Sequence, residues 1–316
     1  MIVNCKDLEA KILKDVKDYV KVCDAYDIPK PKLFMLQIGN DSASSNYVNR
    51  KELKCKETGV LSETMHITRC KLEDLHSILE NRNNDPLTHG IMIQQPSPLE
   101  TADNEALLQK VLPIKDVDGF TYHNVGALTN NSVPGMIPCT AKGVMQILDH
   151  HDIDVQGKLV LVIGKGRTSG RPIAQLLQNK GATVISANSK TSKGDLNNFM
   201  LIADIIISCV GKKHLVTLKD LQITHKDAII NVGMVWEHDK LFNKPRLFGD
   251  VDVKSFENEK IYENTLITTV SGSTGLLTVA NLLMNTCIAH YTLLGKDTIP
   301  SEVKEHLVHL IAPYIK

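Results

Sequence analysis

Short apolar runs alternate with longer amphipathic stretches along this 316-residue chain. The runs are Leu33-Phe-Met-Leu-Gln-Ile38, Gly90-Ile-Met-Ile-Gln94, Leu159-Val-Leu-Val-Ile163, Thr183-Val-Ile-Ser186, Ile205-Ile-Ile-Ser-Cys-Val210 and Ala228-Ile-Ile-Asn-Val232. Strands that are apolar on both faces and separated by helices belong to parallel sheets covered on both sides, so the pattern predicts an α/β fold. Between the first two runs, the segment around Ser44-Ser-Asn-Tyr47-Val-Asn-Arg-Lys51 reads as a helix. Asp41, Ser42 or Ser44 caps its start, and Gly59 ends it in the left-handed conformation.

The length fits two domains, each able to bury its own core. The boundary falls near residues 135 to 157, where Pro134-Gly-Met-Ile-Pro-Cys-Thr140 leads into a helical stretch ending at His150-His-Asp and the strand pattern restarts at Gly157. The expected division is residues 1–145, then 146–273. Helical stretches at about 274–294 and 301–314 are expected to pack back on the first domain.

Acidic and basic residues balance at 36 each, so no global field recruits nucleic acid or an anionic membrane, and a small-molecule partner is expected. The seven cysteines stand singly, without zinc spacing or a disulfide framework, which fits a reducing compartment. The segment Met1-Ile-Val-Asn-Cys-Lys-Asp has neither the apolar run of a signal peptide nor the bias of a transit peptide. The longest apolar stretch, Leu276 to Leu294, is broken by Asn281, Asn285 and His290, as suits a buried helix rather than a membrane span. A cytoplasmic protein is expected.

Four groups stand out as chemistry. Tyr47 and Lys51 are four residues apart, so on a helix a phenol and an amine share one face; the bland alternative is a solvated helix surface. Gln94 closes a buried strand at the sheet end where α/β proteins gather ligand groups. Asp118 lies in Pro113-Ile-Lys-Asp-Val-Asp118-Gly-Phe120, where Gly119 permits unusual backbone angles and where Asp116 and Asp118 read equally as turn-stabilising side chains. One carboxylate and one amide could hold a heterocycle by paired hydrogen bonds. No metal site is expected: His150 and His151 lack ligand-spaced partners, and Cys139, without a base nearby in sequence, reads as lining rather than nucleophile.

A strand also runs directly into Gly164-Lys165-Gly166-Arg167-Thr-Ser-Gly170-Arg-Pro172, followed by a helical pattern. Glycines at such a turn let the backbone approach a pyrophosphate, and the helix N-terminus supplies amide donors. The spacing is G-x-G-x-x-x-G, so the argument rests on the strand before and the helix after, with a plain tight turn as the alternative. The next strand ends at Ala187-Asn-Ser189-Lys190 with no acid to bind a ribose 2′-hydroxyl, while Lys165, Arg167, Lys190 and Ser189 offer partners for a 2′-phosphate. The cofactor expected is NADP rather than NAD.

Taken together, these segments resemble the methylenetetrahydrofolate dehydrogenase/cyclohydrolase family. The matches are Ser44-x-x-Tyr47-Val48-x-x-Lys51 with Gly59, Gly90-Ile-x-Ile-Gln94-x-Pro96-x-Pro98, Lys115-Asp-Val-Asp-Gly-Phe120 with Asn124 and Gly126, and Pro138-Cys-Thr140 with Gly143. They continue through Gly164 and Gly170-x-Pro172, Ser189-x-Thr191, Gly211, Val232-Gly233, Gly249-Asp-Val-Asp252, and Gly272-x-x-Gly275-x-x-Thr278 with Asn285-Thr286. The resemblance implies an N-terminal folate domain, a C-terminal Rossmann domain with the folate cleft between them, and commonly a homodimer through the Rossmann domain. It implies NADP-dependent oxidation of 5,10-methylenetetrahydrofolate and hydrolysis of the methenyl product to 10-formyltetrahydrofolate, an oxidoreductase and hydrolase of one-carbon metabolism. By position, Lys51 becomes the lysine of the hydrolysis, Tyr47 its neighbour against the folate, Gln94 the group that positions Lys51, and Asp118 the holder of the pterin. Gly164, Lys165, Gly166, Arg167, Gly170, Ser189, Gly211 and Gly233 fall at the cofactor, and Gly272, Gly275 and Thr278 at the substrate.

Departures gather in the cofactor half. The family's Pro-Gly-Gly-Val-Gly-Pro-Met-Thr loop reads Ser271-Gly-Ser-Thr-Gly-Leu-Leu-Thr278, so a less rigid or differently shaped loop is expected. Lys165-Gly166 replaces Arg-Ser, Asn188 a common His, Asn231 an Asp, and Ala141 a proline. Two readings stay open beside the bifunctional enzyme: a folate-binding relative with a degraded cofactor site, and a different Rossmann oxidoreductase that gives Tyr47 and Lys51 no task.

Overall fold

A computed structural model describes residues 1–132, 135–221, 224–239, 243–257, 259–295 and 299–315. Pro134, at the start of the linker read from the sequence, lies outside them. The chain begins with β1 (Ile2–Val3), α1 (Lys6–Ala25), β2 (Lys32–Ile38), α2 (Ser42–Thr58), β3 (Leu61–Ile67), α3 (Leu72–Asn84) and β4 (Gly90–Ile93). It continues with α4 (Thr101–Leu108), α5 (Tyr122–Thr129), α6 (Cys139–His150), β5 (Leu159–Ile163), α7 (Gly170–Asn179), β6 (Thr183–Ala187), α8 (Lys193–Ile202) and β7 (Ile205–Ser208). The last elements are α9 (Leu218–Leu221), β8 (Ala228–Asn231), β9 (Met234–Asp239), β10 (Lys244–Gly249), β11 (Leu266–Thr268), α10 (Thr274–Leu293) and α11 (Ser301–Ile311).

Two compact units result, one formed by Glu9–Cys139 with Val279–Lys316, the other by Met1–Leu8 with Thr140–Thr278. The first is built on a parallel three-stranded sheet in the order β3-β2-β4. Its central strand β2 is apolar on both faces, and Leu33, Phe34, Met35 and Leu36 are fully buried, as helices on both sides require. Phe34, Leu36, Leu75, Leu79, Ile91, Ile93 and Leu107 make one core, each large side chain removed from water contributing ~1.5–3 kcal/mol. α2 starts where Asp41 accepts the Ser44 amide at 2.7 Å, and stops at Gly59, whose φ of 84° only glycine adopts without strain. The 301–314 stretch is helical as α11 and an ensuing short turn, and Tyr314 reaches α1 through its hydroxyl to Asp15 at 2.6 Å.

The second unit carries a six-stranded parallel sheet in the order β1-β11-β8-β7-β5-β6, and a separate antiparallel ribbon of β9 and β10. The order in which the chain adds strands reverses at β5, which pairs in parallel with β6 on one side and β7 on the other. In open α/β sheets ligands bind outside the carboxyl ends of the strands flanking such a reversal. β1 comes from the start of the chain and pairs with β11, so the first residues belong to the sheet that otherwise begins at Leu159.

α10 is long and apolar enough to cross a membrane by composition, with mean hydropathy 1.2, but 72% of that stretch is buried in protein. It is a core helix.

Candidate active site

In the three-stranded unit, α2 places Lys51 on its inner face, 6% exposed. Its ammonium donates to Gln94 Oε1 at 2.9 Å and lies 3.3 Å from Met92 Sδ. Gln94, just past β4, has its amide orientation fixed: Nε2 donates to the Gln95 carbonyl at 2.6 Å, leaving Oε1 for Lys51. Burial lowers the Lys51 pKa, because desolvation penalises the ammonium, and the opposing charges of Asp118, Cys139 and Cys55 only partly restore it.

Asp118 is half-buried beside Lys51, and its carboxyl is pushed up to about 6. Desolvation is the main cause, Lys51 pulls the other way, and Asp116 adds like-charge repulsion. The neighbouring carboxylate has a different task. Asp116 accepts the amides of Gly119 at 3.0 Å and Thr121 at 2.7 Å, and Asn124 Nδ2 at 2.9 Å, so it is the turn-stabilising member of the pair. Gly119 sits at φ 72°, and any side chain there would collide with the Met136 carbonyl oxygen. Tyr47 is one turn before Lys51 on α2, half-buried, and burial raises its phenol. Lys51, Gln94 and Asp118, drawn from α2, the end of β4 and the loop before α5, thus converge on one electrostatic neighbourhood, with Tyr47 on the same helix. Cys139 is buried near them, donating to the Val117 carbonyl at 3.3 Å, which fits lining.

In the six-stranded unit, the expected cofactor residues all follow the carboxyl ends of β5, β6, β7 and β8. Gly164 (φ 107°) ends β5, and a Cβ there would meet the Cys209 carbonyl at 2.7 Å. At Gly170 a Cβ would run into the Gly164 carbonyl, whereas Gly166 has nothing within 4 Å and leaves its backbone open. Lys165 is exposed and Arg167 half-buried in that turn. Ser189 and Lys190 are exposed at the tip after β6, where Asn188 Oδ1 accepts the Lys190 amide at 2.9 Å and shapes the turn. Gly211 (φ 76°) follows β7, and Gly233 follows β8 against the Asp250 carboxylate, where no Cβ fits.

Asp250 is the residue the sequence reading passed over. Fully buried, it accepts Ser208 Oγ, the Val210 amide and the Lys212 amide, each at 2.7 Å, and so clamps the loop around Gly211. Its only signal was its place in Gly249-Asp-Val-Asp252.

The 271–278 loop is tied by hydrogen bonds at Ser271, Gly272 and Thr274. The Cys5 amide donates to the Gly272 carbonyl at 2.6 Å, Thr269 Oγ1 to the Ser271 carbonyl at 2.9 Å, and Thr274 Oγ1 to the Asn231 carbonyl at 3.4 Å. Gly272 is at φ 90°, and Gly275 lies in the first turn of α10. Thr278 Oγ1 donates to the Thr274 carbonyl at 2.9 Å, so in its 3.1 Å contact with Thr140 Oγ1 it accepts. Trp236 is 62% exposed on the ribbon. His150 and His151 stack edge to face at the end of α6, 5.0 Å apart.

Comparison with known proteins reaches both units. The family model for the tetrahydrofolate dehydrogenase/cyclohydrolase catalytic domain matches residues 3–118, and that for the NAD(P)-binding domain of the same family matches residues 138–293. The bifunctional protein FolD of Staphylococcus saprophyticus is 34% identical over 290 residues, covering 91% of this chain and 96% of its own. The crystal structure of bifunctional FolD from Campylobacter jejuni is similar with a TM-score of 0.83 at 31% identity, over 93% of this chain and 99% of that one. The Trypanosoma brucei methylenetetrahydrofolate dehydrogenase-cyclohydrolase, solved with NADP and an inhibitor, gives a TM-score of 0.84 at 29% identity over 92% and 97% of the two chains.

Proposed function

Because the chain belongs to the tetrahydrofolate dehydrogenase/cyclohydrolase family, we propose that it oxidises 5,10-methylenetetrahydrofolate with NADP and hydrolyses the methenyl product to 10-formyltetrahydrofolate. The observation that carries this reading is the buried Lys51 ammonium, held at 2.9 Å by a one-way Gln94 amide and poised against the Asp118 carboxyl. The folate-binding alternative with a degraded cofactor site finds no support in the Staphylococcus saprophyticus and Campylobacter jejuni relatives, both of which are described as bifunctional.

The chain's residues fit the cofactor. The backbone cradle at Gly164, Gly166 and Gly170 admits a pyrophosphate, and the carboxyl end of β6 presents Ser189 and Lys190 in place of an acid. Bound NADP supplies the hydride acceptor. For the oxidation the protein's part is positional, since loss of hydride leaves a delocalised cation and requires little proton transfer from side chains. Asp118 holds the pterin, and Tyr47 lies against the folate one turn from Lys51.

Hydrolysis asks more. Water adds to the methenyl carbon, and a C–N bond then breaks, so a proton must leave the water and another must reach the departing nitrogen. Lys51, with its pKa lowered by burial, exchanges protons nearer neutrality than an exposed lysine does. Gln94 keeps Nζ aimed by accepting one of its hydrogens.

In this reading the folate site belongs to the unit of Glu9–Cys139 with Val279–Lys316 and cofactor binding to the unit of Met1–Leu8 with Thr140–Thr278 rather than to 1–145 and 146–273; the catalytic-domain match over 3–118 and the NAD(P)-binding match over 138–293 support that order of parts. The protein is cytoplasmic and forms a homodimer through its Rossmann domain; the exposed Trp236 on the β9–β10 ribbon supports that surface. A spectrophotometric assay with methylenetetrahydrofolate and each nicotinamide cofactor tests the activity. Expected are reduction of NADP in preference to NAD and decay of the methenyl absorbance; no turnover of either kind overturns the proposal. Sedimentation tests the dimer, with a single 35.0 kDa species as the contrary result.

A further inference from the structure

Asn285, on α10, is 1% exposed, and its side-chain amide meets three acceptors at once. Nδ2 lies 2.9 Å from the Val117 carbonyl, 3.1 Å from the Ile137 carbonyl and 3.6 Å from Cys139 Sγ. The Val117 carbonyl is the peptide oxygen directly before Asp118, and Ile137 and Cys139 belong to the segment against which Gly119 is wedged. Asp118 is therefore pinned on both sides. Ahead of it, Asn285 ties Val117 to α10; behind it, Gly119 gives its amide to Asp116 and has no room to move past Met136.

We propose that Asn285 is a positioning residue for folate binding, fixing through the Val117 and Ile137 carbonyls where the pterin-holding Asp118 carboxyl stands relative to Lys51. The proposal rests on the functional reading above for its link to folate, but not for its geometry. Satisfying a buried carbonyl does not by itself explain the arrangement, because Val117 O already accepts the Cys139 thiol at 3.3 Å. What Asn285 adds is the connection to a long, buried helix. Charges in a partly desolvated site interact steeply with distance, and misplacement by about 1 Å costs on the order of 10²-fold in rate. The charged and titratable groups concerned are Asp118, Cys139 and Cys55 around Lys51, and Lys51 and Asp116 around Asp118.

The test uses Asn285→Leu, the same branched shape without donors, and Asn285→Asp, in which only the protonated acid regains a donor. Carbon-13 titration of the Asp118 carboxyl in ligand-free protein reads its position without any turnover. In Asn285→Leu the midpoint is expected to fall from about 6 toward the ordinary value of about 3.9, as water reaches a loosened carboxyl. The folate KM is expected to rise at least about tenfold in both reactions, with kcat of hydride transfer changed less than about threefold. Asn285→Asp recovers part of the loss as pH falls. Should Asn285→Leu not fold, Asn285→Asp takes the same measurements. An unmoved midpoint with an unchanged KM overturns the proposal. A moved midpoint in a protein whose wild type neither binds nor converts folate leaves Asn285 as proposed and removes the functional reading instead.

Discussion

Replacing Lys51 by methionine is expected to separate the two reactions proposed above. Methionine matches the lysine stem in length and lies beside Met92, so the packing volume of the buried site is kept. The ammonium's hydrogen bond to Gln94 is lost, and an unpaired Oε1 costs ~1–3 kcal/mol. Against this, the fold no longer desolvates a cation, and exchanging a buried charge for an apolar group is often neutral or better. Net stability is thus expected to change by no more than ~2 kcal/mol, read from urea melts. Hydrolysis loses its proton carrier, a term worth about 10²–10⁴ in rate, or ~3–5 kcal/mol of barrier. Hydride transfer needs no such group and is expected to fall less than about tenfold. The Asp118 carboxyl, pushed up to about 6 by burial and held down by the Lys51 cation, is expected to titrate higher still once that cation is gone. The assay follows methenyl absorbance and NADPH formation separately at saturating substrate. Equal loss of both activities, or hydrolysis retained within about threefold, would falsify the role given to Lys51.

Other perturbations probe the remaining elements. Gly170→Ala drives a Cβ into the Gly164 carbonyl and is expected to weaken NADP binding at least about tenfold while sparing methenyl hydrolysis, as measured by cofactor titration. In Gly119→Ala, a φ of 72° and the collision with Met136 O are expected to cost about 3 kcal/mol or more in chemical denaturation; a loss below about 1 kcal/mol would show that the turn relaxes freely. The buried pair His89 and His290 sets acid stability. His290 Nε2 faces the Pro29 carbonyl and so carries the proton, leaving Nδ1 to accept from Tyr19 at 2.8 Å, and burial holds its pKa down at about 4 and that of His89 at about 3. Both are lowered from 6.5, so the unfolded chain binds the extra protons and stability present above pH 6.5 is lost as pH falls toward 4 and below. His290 alone accounts for ~3 kcal/mol across that window, and His290→Gln is expected to flatten the wild-type pH dependence of urea stability there; identical slopes refute it.

The legible parts of the fold were those encoded locally. β5 runs over the very residues of its apolar run, Leu159–Ile163, and α2 begins and ends on Asp41 and Gly59, because capping and left-handed glycine are short-range chemistry. β3 escaped notice: it is an edge strand, half-exposed and interrupted by Ser62, Glu63 and Thr64, and it carries no continuous apolar signal. β1 is two residues long and exists only because β11 offers an edge far along the chain, where Ile2 pairs with Ile267. The Tyr47–Lys51 spacing announced a shared face, but nothing local distinguished Asp116 from Asp118. Their roles diverge through contacts with Thr121 and Asn124 on one side and Lys51 on the other. Asp250 and Asn285 act through partners far away in the chain, so their types alone could not disclose what they hold.

α10 carries Thr274, Thr278, Asn285 and His290, each bonded to a different part of the chain. Each residue of an α-helix advances the azimuth by about 100°, so inserting or deleting one near Leu283 would swing Asn285 and His290 together away from their acceptors. Along this stretch the protein can tolerate changes of letter far better than a change of phase. Its descendants should vary in length at the loops before Thr274 and after Leu293, and keep the count between them.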